Sequence, residues 1–386
     1  MKLRDFFQHT EQISTPAFYF DTDVFHNRVE FVKMELPKIP LTFSIKANPF
    51  LLNCLPDEIR HVEVCSPGEL KICKAYNIPG SRIIYSGVNK EIEDVTEAIV
   101  YGGDIATAES MLHVELEQKA AQKADTKQRV ILRLTSGNQF GMSEEDVLSI
   151  LADHTKYPNL DIYGIHYYSG TQKKKRQIDK DFEKLDAALS RLRERTGFVP
   201  RLVEVGPGFP VNYFNPPYDE SEKAALIENK DTILAFAEKY PLGIEIGRYF
   251  AASCGTYATK VMDVKNNGNI NYVICDGGIH HLKYYGQTLA MQVPEMEILN
   301  TSAEAKPYCI CGSLCTVADV LVREVELPVV SRNDVVLFHR CGAYSVTEGS
   351  ALFLSRKIPE VYLYNEANGL EKMRSFVDTT IINKKE

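Results

Sequence analysis

Leu41-Thr42-Phe43-Ser44-Ile45-Lys46-Ala47-Asn48-Pro49 is the stretch from which the fold of this chain is read. Its opening run, Leu41–Ile45, is short and apolar, as a buried strand is, and it ends on a lysine within a polar turn. Seven more such runs follow: His61–Cys65, Arg82–Tyr85, Asp104–Thr107, Arg129–Leu134, Asp161–Tyr167, Arg201–Val205 and Leu242–Ile246. Between them lie stretches with helical periodicity, among them Gly68–Tyr76, Glu91–Tyr101, Ser110–Lys123, Asp179–Thr196 and Ser221–Lys239. Eight strand–helix units in succession predict an α/β chain closed into a parallel (β/α)8 TIM barrel, because an open doubly wound sheet seldom runs so long without interruption.

After Phe250 the pattern changes. Gly255–Val264, Asn271–Asp276, Val320–Leu327 and Asp334–His339 are strand-like and are separated by turns rather than helices. They predict a mostly antiparallel β domain, which the early strand Pro16–Phe20 joins. The expected division is a barrel over residues 25–250 and a β-sandwich or barrel-like domain over residues 1–24 and 251–386. No repeat beyond the strand–helix unit and no low-complexity linker is present.

Composition narrows the function classes. The 386 residues carry 44 Lys plus Arg against 52 Asp plus Glu, a net charge of -8 that disfavours nucleic acid as a partner. The one basic run, Lys173-Lys174-Lys175-Arg176, reads as a solvated surface turn opening a helix. Nine scattered cysteines suit a reducing compartment better than a disulfide framework. The first residues lack an apolar signal core and no apolar stretch approaches membrane-spanning length, which predicts a soluble, cytoplasmic protein with no membrane partner. No Gly-x-Ser-x-Gly elbow or phosphate P-loop motif occurs, Cys309, Cys311 and Cys315 lack the second ligand pair of a zinc site, and no metal is expected.

Chemistry in such a barrel belongs at the strand ends. Lys46 ends the first run, and burial there disfavours its ammonium form, leaving an amine able to attack a carbonyl; a lysine snorkelling to the rim is the structural alternative. Arg133 ends the fifth run. The sixth ends in Gly164-Ile165-His166-Tyr167-Tyr168-Ser169-Gly170-Thr171-Gln172, the seventh in Glu204-Val205-Gly206-Pro207-Gly208-Phe209 and the eighth in Glu245-Ile246-Gly247-Arg248. Glycines let backbone N–H groups close on a phosphate and an arginine adds charged donors. The β domain contributes Cys311-Gly312-Ser313-Leu314-Cys315-Thr316-Val317-Ala318-Asp319 and Gly342-Ala343-Tyr344.

With these motifs in this order, from Pro16 to about Tyr364, the chain resembles the fold-type III pyridoxal-phosphate decarboxylases, the group of diaminopimelate, ornithine and arginine decarboxylases. The resemblance implies pyridoxal 5'-phosphate as cofactor, an alanine-racemase-like pairing of barrel and β domain, and a homodimer with active sites at the subunit interface. It implies that Lys46 in Phe-Ser-Ile-Lys-Ala-Asn binds the cofactor aldehyde and that Glu245 partners its pyridine nitrogen. Gly206, Gly208, Gly247, Arg248 and Tyr344, with Thr171, would bind the phosphate. Glu63, Ser66 and Arg133 match further cofactor positions. Cys315 matches the catalytic cysteine supplied by the other subunit, and His166, Thr316 and Asp319 fall at substrate positions.

Three departures stand out. Tyr168 occupies the place of the histidine that lies on the cofactor ring, and its ring can still stack there. Pro207 interrupts a run of glycines and removes one N–H donor. Thr316 replaces the acidic residue that meets the distal amine of diaminopimelate and ornithine, a charge-assisted contact of roughly 1.5–3 kcal/mol. The Gly-Ile-His-x-Tyr-x-Gly-Thr-Gln, Asp-Gly-Gly-x-His-His and Leu-Cys-Thr segments resemble the biosynthetic branch, which includes a butirosin-pathway enzyme acting on a glutamyl group tethered to a carrier protein. The expected activity is therefore decarboxylation of an amino acid, free or carrier-tethered, of natural-product or siderophore type. The alternatives are diaminopimelate decarboxylation, racemisation or epimerisation, and a non-catalytic binding homologue. Racemases of this scaffold place an arginine at the ring nitrogen, where this chain has Glu245, and non-catalytic relatives lose the cofactor residues kept here.

Overall fold

The computed structural model describes residues 2–10, 13–299 and 304–385. The chain forms two compact units, one of Arg28–Val211 with Glu220–Phe250, the other of Met1–Asn27, Asn212–Asp219 and Ala251–Glu386. It opens with α1 (Leu3–His9), β1 (Ala17–Asp21) and α2 (Thr22–Glu35). Eight strands then follow: β2 (Leu41–Ser44), β3 (Ile59–Val64), β4 (Ile83–Tyr85), β5 (Ile105–Ala108), β6 (Gln128–Leu134), β7 (Leu160–Tyr168), β8 (Leu202–Gly206) and β9 (Leu242–Ile246). They close in that order into a parallel barrel, β9 pairing β2, so the barrel expected from the sequence is present. Each expected run falls within two residues of its strand at either end.

The crossovers are α3 (Pro67–Ala75), α4 (Ile92–Val100), α5 (Met111–Lys123), α6 (Glu144–Ala152), α7 (Lys175–Thr196) and α8 (Tyr218–Lys239). The longest helices show why they form. Helix α7 buries Ile178, Phe182, Leu185, Leu189 and Leu192, a stripe at helical spacing, and ends on Gly197 at φ 73°. Helix α6 lay outside the expected stretches although its start is marked by a reciprocal cap between Ser143 and Asp146. After β2 no α-helix follows. The chain turns through two 3-10 segments, Ile45–Ala47 and Pro49–Cys54, with Asn48 Oδ1 accepting from Phe50 N at 3.1 Å.

The second unit is the expected mostly antiparallel β structure, with more strands than the sequence suggested. Beyond α9 (Arg248–Ala251) come β10 (Gly255–Asn267), β11 (Ile270–Cys275), β12 (Met296–Leu299), β13 (Ala305–Cys311), β14 (Val320–Pro328), β15 (Val335–His339), α10 (Ser345–Glu348), β16 (Glu360–Asn365), β17 (Gly369–Arg374) and α11 (Thr380–Asn383). Strand β10 turns the corner of the sheet. Its first half pairs β1 and β15, and beyond an irregularity at Val261/Asp263 it pairs β11. Strand β1 lies between β10 and β16, parallel to the latter. Helix α1 and this sheet share a core of Leu3, Phe7, Ala17, Tyr19, Ala258, Leu337 and Tyr364. The segment Asn212–Asp219 lies inside the span 25–250 expected for the barrel yet belongs to this unit, where Asn212 O accepts from Arg340 Nε at 2.8 Å and Arg340 Nη1 pairs with Asp219 at 3.0 Å. Among the described residues no helix is long and apolar enough to cross a membrane.

Candidate active site

Strand register gathers the polar residues of the barrel. Ser44 stands opposite Glu63, Thr42 opposite Glu245, and His166 between Arg133 on β6 and Glu204 on β8. Since side chains alternate along a strand, matched positions on neighbouring strands put these groups on one face of the closed sheet, inside the barrel.

Their contacts form one network. Glu245 Oε1 accepts from Ser44 Oγ at 2.6 Å, and Oε2 lies 3.2 Å from His166 Nε2. Lys46 Nζ sits 2.5 Å from Glu63 Oε2, 3.6 Å from Glu245 Oε1 and 3.5 Å from Cys65 Sγ. Cys65 Sγ in turn donates to Glu63 Oε1 at 2.8 Å. Burial opposes ionisation of Glu245 but is outweighed by the Lys46 charge and by the hydrogen bonds from His166 and Ser44, so its pKa is held far below the carboxylate range. Burial, reinforced by Glu63, pushes the Cys65 thiol well up, which keeps its proton on sulfur for Glu63.

Glu204 behaves oppositely. It is 2% exposed, and its Oε1 has no hydrogen-bond partner among the described residues. Burial first, then the charges of Glu245 and Glu63, raises its pKa from 4.5 to about 8. A carboxyl raised on folding stabilises the fold fully below its unfolded pKa and loses that contribution as pH climbs through the folded value. The Glu204 contribution is read as the difference in stability between wild type and Glu204→Gln by chemical denaturation at several pH values, and that difference is expected to move against wild type between about pH 4.5 and 8. A difference that does not change with pH would refute the assignment.

Further round the rim, Arg133 Nη1 pairs with Glu109 Oε1 at 2.6 Å, and its guanidinium lies 4.9 Å from the Phe140 ring centroid. Ser66 caps α3, its Oγ accepting from Glu69 N at 3.1 Å, which leaves its hydroxyl proton and one lone pair to bond a ligand. Tyr168 ends β7 directly opposite Gly206, where an added Cβ would lie 2.5 Å from Tyr168 Cδ2; only glycine fits beside that ring. Gly208 has φ +69°, and a Cβ there would lie 2.2 Å from Gly170 O. Thr171 is half-buried in the turn after β7, and Gly247 and Arg248 join β9 to α9.

The basic run needs a correction. Lys173, expected in solvent, is 5% exposed, with Nζ 2.7 Å from Asp181 Oδ2 and 2.8 Å from Ser169 Oγ. Its side chain folds back beneath the rim to meet Asp181 on α7, whereas Lys174 and Arg176 are exposed as expected.

Four expected residues belong to the β unit. Cys315 and Thr316 are exposed in the turn between β13 and β14, next to Val317, which is 99% exposed. Asp319 is buried, and its two oxygens accept from Ile279 N at 2.8 Å and Leu314 N at 2.7 Å. That ties the Cys315 turn to the loop after β11, a structural duty beyond the substrate contact expected of it. Tyr344 has φ 69° and heads α10.

The barrel donor set fits a phosphorylated pyridine aldehyde: a primary amine for the aldehyde, an ionised carboxylate for a protonated ring nitrogen, an aromatic ring for stacking, and glycine turns beside an arginine for the phosphate. Ser44, Cys65, Glu109, Glu204 and Asp181 were missed in the sequence. The period of two was the available signal, since Ser44, Glu63 and Glu204 each stand two residues before Lys46, Cys65 and Gly206.

Comparison with known proteins agrees with this fit. The pyridoxal-binding domain of the pyridoxal-dependent decarboxylases matches residues 23–252. A diaminopimelate decarboxylase of Bacteroides thetaiotaomicron is 24% identical, over 92% of this chain and 96% of that protein. The L-glutamyl-[BtrI acyl-carrier protein] decarboxylase of Niallia circulans is 27% identical over 96% and 94%. The 2-[(L-alanin-3-ylcarbamoyl)methyl]-2-hydroxybutanedioate decarboxylase of Staphylococcus aureus is 24% identical over 90% and 93%. In fold, the chain is similar to AQ1208 from Aquifex aeolicus, with TM-score 0.85 and 23% identity over 98% of this chain and 93% of that one.

Proposed function

The chain belongs to the pyridoxal-dependent decarboxylases, and from that premise we propose that it decarboxylates an amino acid carried within a biosynthetic intermediate, of natural-product or siderophore type, rather than a free diamino acid. The observation that carries this reading is Thr316, a neutral side chain in the exposed turn beside Cys315. A diamino substrate places an ammonium group at its far end, and a threonine hydroxyl leaves that charge without a counter-ion. The carrier-protein and hydroxybutanedioate decarboxylases among the relatives have substrates of the proposed kind.

The site residues then divide the work. Lys46 Nζ, held by Glu63, would bind the cofactor aldehyde. Glu245, hydrogen-bonded by His166 and Ser44, would hold a proton on the ring nitrogen. Tyr168 would stack on the ring beside Ser66 and Arg133, and Gly206, Gly208, Gly247, Arg248 and Thr171, with Tyr344, would hold the phosphate. Bound there, pyridoxal phosphate would supply a sink for the electrons of the bond to the departing carboxylate. His166 and Thr316 face the substrate, with Asp319 fixing the turn that carries Thr316. Cys315 delivers a proton to the carbon that CO2 leaves. Its exposure, together with that of Val317, supports a homodimer in which this turn serves the site of a second copy.

Two measurements test this. CO2 release by the purified holoenzyme across free diamino acids, glutamate, carrier-tethered amino acids and citrate-conjugated amino acids is expected to favour the conjugated substrates; preference for meso-diaminopimelate would restore lysine biosynthesis as the function. Cys315→Ala is expected to lower kcat about 100-fold and to release aldehyde or other misprotonated products. Normal turnover with clean product would remove Cys315 from the proton step.

A further inference from the structure

Lys173 has no part in the chemistry above, yet it is among the most buried lysines of the chain and lies beside the glycine turn proposed to hold the phosphate. Its backbone N–H donates to Gly208 O at 3.0 Å. Its side chain passes so close that a Cβ on Gly208 would come within 2.8 Å of Lys173 Cε. The ammonium bonds Ser169 and Asp181 and lies 6.0 Å from the Tyr168 ring centroid. The preceding residue makes the same crossing: Gln172 Nε2 donates to Val211 O at 2.9 Å and Val211 N donates to Gln172 Oε1 at 2.5 Å. The Gln172 side chain and the Lys173 backbone N–H thus fasten the turn after β7 onto the turn after β8, while the Lys173 side chain packs against Gly208 and its ammonium bonds Ser169 and Asp181.

We propose that Lys173 is a positioning residue for the anion end of the site: buried between Asp181 and Ser169, it locks the Gly206–Phe209 turn and the Tyr168 ring into the arrangement that receives a phosphate monoester. The inference rests on the cofactor assignment above and adds to it how this chain holds that turn. The Lys173 backbone N–H on Gly208 O orients the following trans peptide, whose Phe209 N–H points the opposite way, and the ammonium's bonds to Ser169 and Asp181 hold Lys173 where that backbone bond forms. Pro207 offers no N–H, so the turn has fewer donors to aim and gains more from being held rigidly. The lysine acts by position: its charge is matched by Asp181, so the pair adds little net field at the phosphate.

The test compares two probes, pyridoxal phosphate and pyridoxal, binding to the full-length chain stripped of cofactor, followed by absorbance. In the unaltered protein pyridoxal phosphate is expected to bind far more tightly. Lys173→Met is expected to weaken pyridoxal phosphate by about 10–100-fold, the scale of a small misplacement of binding groups, while pyridoxal changes by less than about 3-fold. If the single variant fails to fold, Lys173→Met with Asp181→Leu removes both charges, and the same selective loss is expected. Lys174→Met, an exposed neighbour, controls for general charge and should leave the ratio of the two affinities unaltered. An unchanged ratio in the Lys173 variants, an equal loss of both probes, or an equal effect of Lys174→Met would overturn the proposal. A wild-type protein that does not distinguish the two probes would instead refute the cofactor assignment beneath it.

Discussion

Replacing Lys46 with alanine is expected to abolish decarboxylation, with a loss on the order of 10^4-fold or more, between that of one acid–base group and that of a complete nucleophilic unit. The expectation follows from where the amine is held. Lys46 sits in a 3-10 turn immediately after β2, anchored by Asn48 and Pro49, and its Nζ is gripped by Glu63 at 2.5 Å. Glu63 is itself fixed, because Cys65 donates to its other oxygen and its strand position is set against Ser44. An amine so restrained reaches a bound aldehyde without paying the entropy of ordering a long side chain. Wild-type protein should be yellow, and borohydride reduction should fix the cofactor on Lys46, as peptide mass analysis would report. Lys46→Ala should be fixed nowhere. Turnover within tenfold of wild type, or reductive labelling at another lysine, would remove Lys46 from its assigned place.

Glu245→Gln is the second large effect, an expected fall in kcat of about 10^2–10^4-fold. Glutamine keeps the shape and the Ser44 hydrogen bond but removes the charge, so no anion remains to hold a proton on the ring nitrogen. The carboxylate reaches its ionised state against the cost of burial, through Lys46, His166 and Ser44 acting together. With Lys46 joined to the cofactor, a protonated ring nitrogen would replace its ammonium as the charge that favours the carboxylate. The visible band of the reconstituted variant should shift in wavelength, reporting a neutral ring, while thermal unfolding shows a folded protein. Retention of kcat together with the wild-type spectrum would show that ring protonation does not depend on Glu245.

The two effects differ in how far they could be anticipated. Lys46 and the glycines at the end of β8 announce themselves because each follows a short apolar run, and the end of a barrel strand is where function gathers. Glu245, one residue inside its run as Glu204 is, is marked only by the family motif Glu-Ile-Gly-Arg. Ser44, Cys65 and Glu204 lie inside or at the end of such runs, where a polar residue carries no label until its partner on another strand is known. Lys173 shows the limit best. Within a run of four cations it reads as solvated, yet helix α7 brings Asp181 beneath it and the β8 turn closes over it, and no local pattern encodes either.

The sequence by itself determined the barrel, its strand count and most strand boundaries, because those follow from the period of apolar residues along the chain, and periodicity is local. It likewise placed the amine just after the first barrel strand and the acid within the last. Only the tertiary structure decided the rest: β1 between β10 and β16, partners more than two hundred residues away, and the network joining Lys46, Glu63, Cys65, Ser44, His166 and Glu245. These depend on contacts between segments distant in sequence, whose geometry arises only when the sheet closes and the loops pack. The ionisation of Glu245 and the protonation of Glu204, two glutamates in one barrel with opposite fates, come from that packing alone.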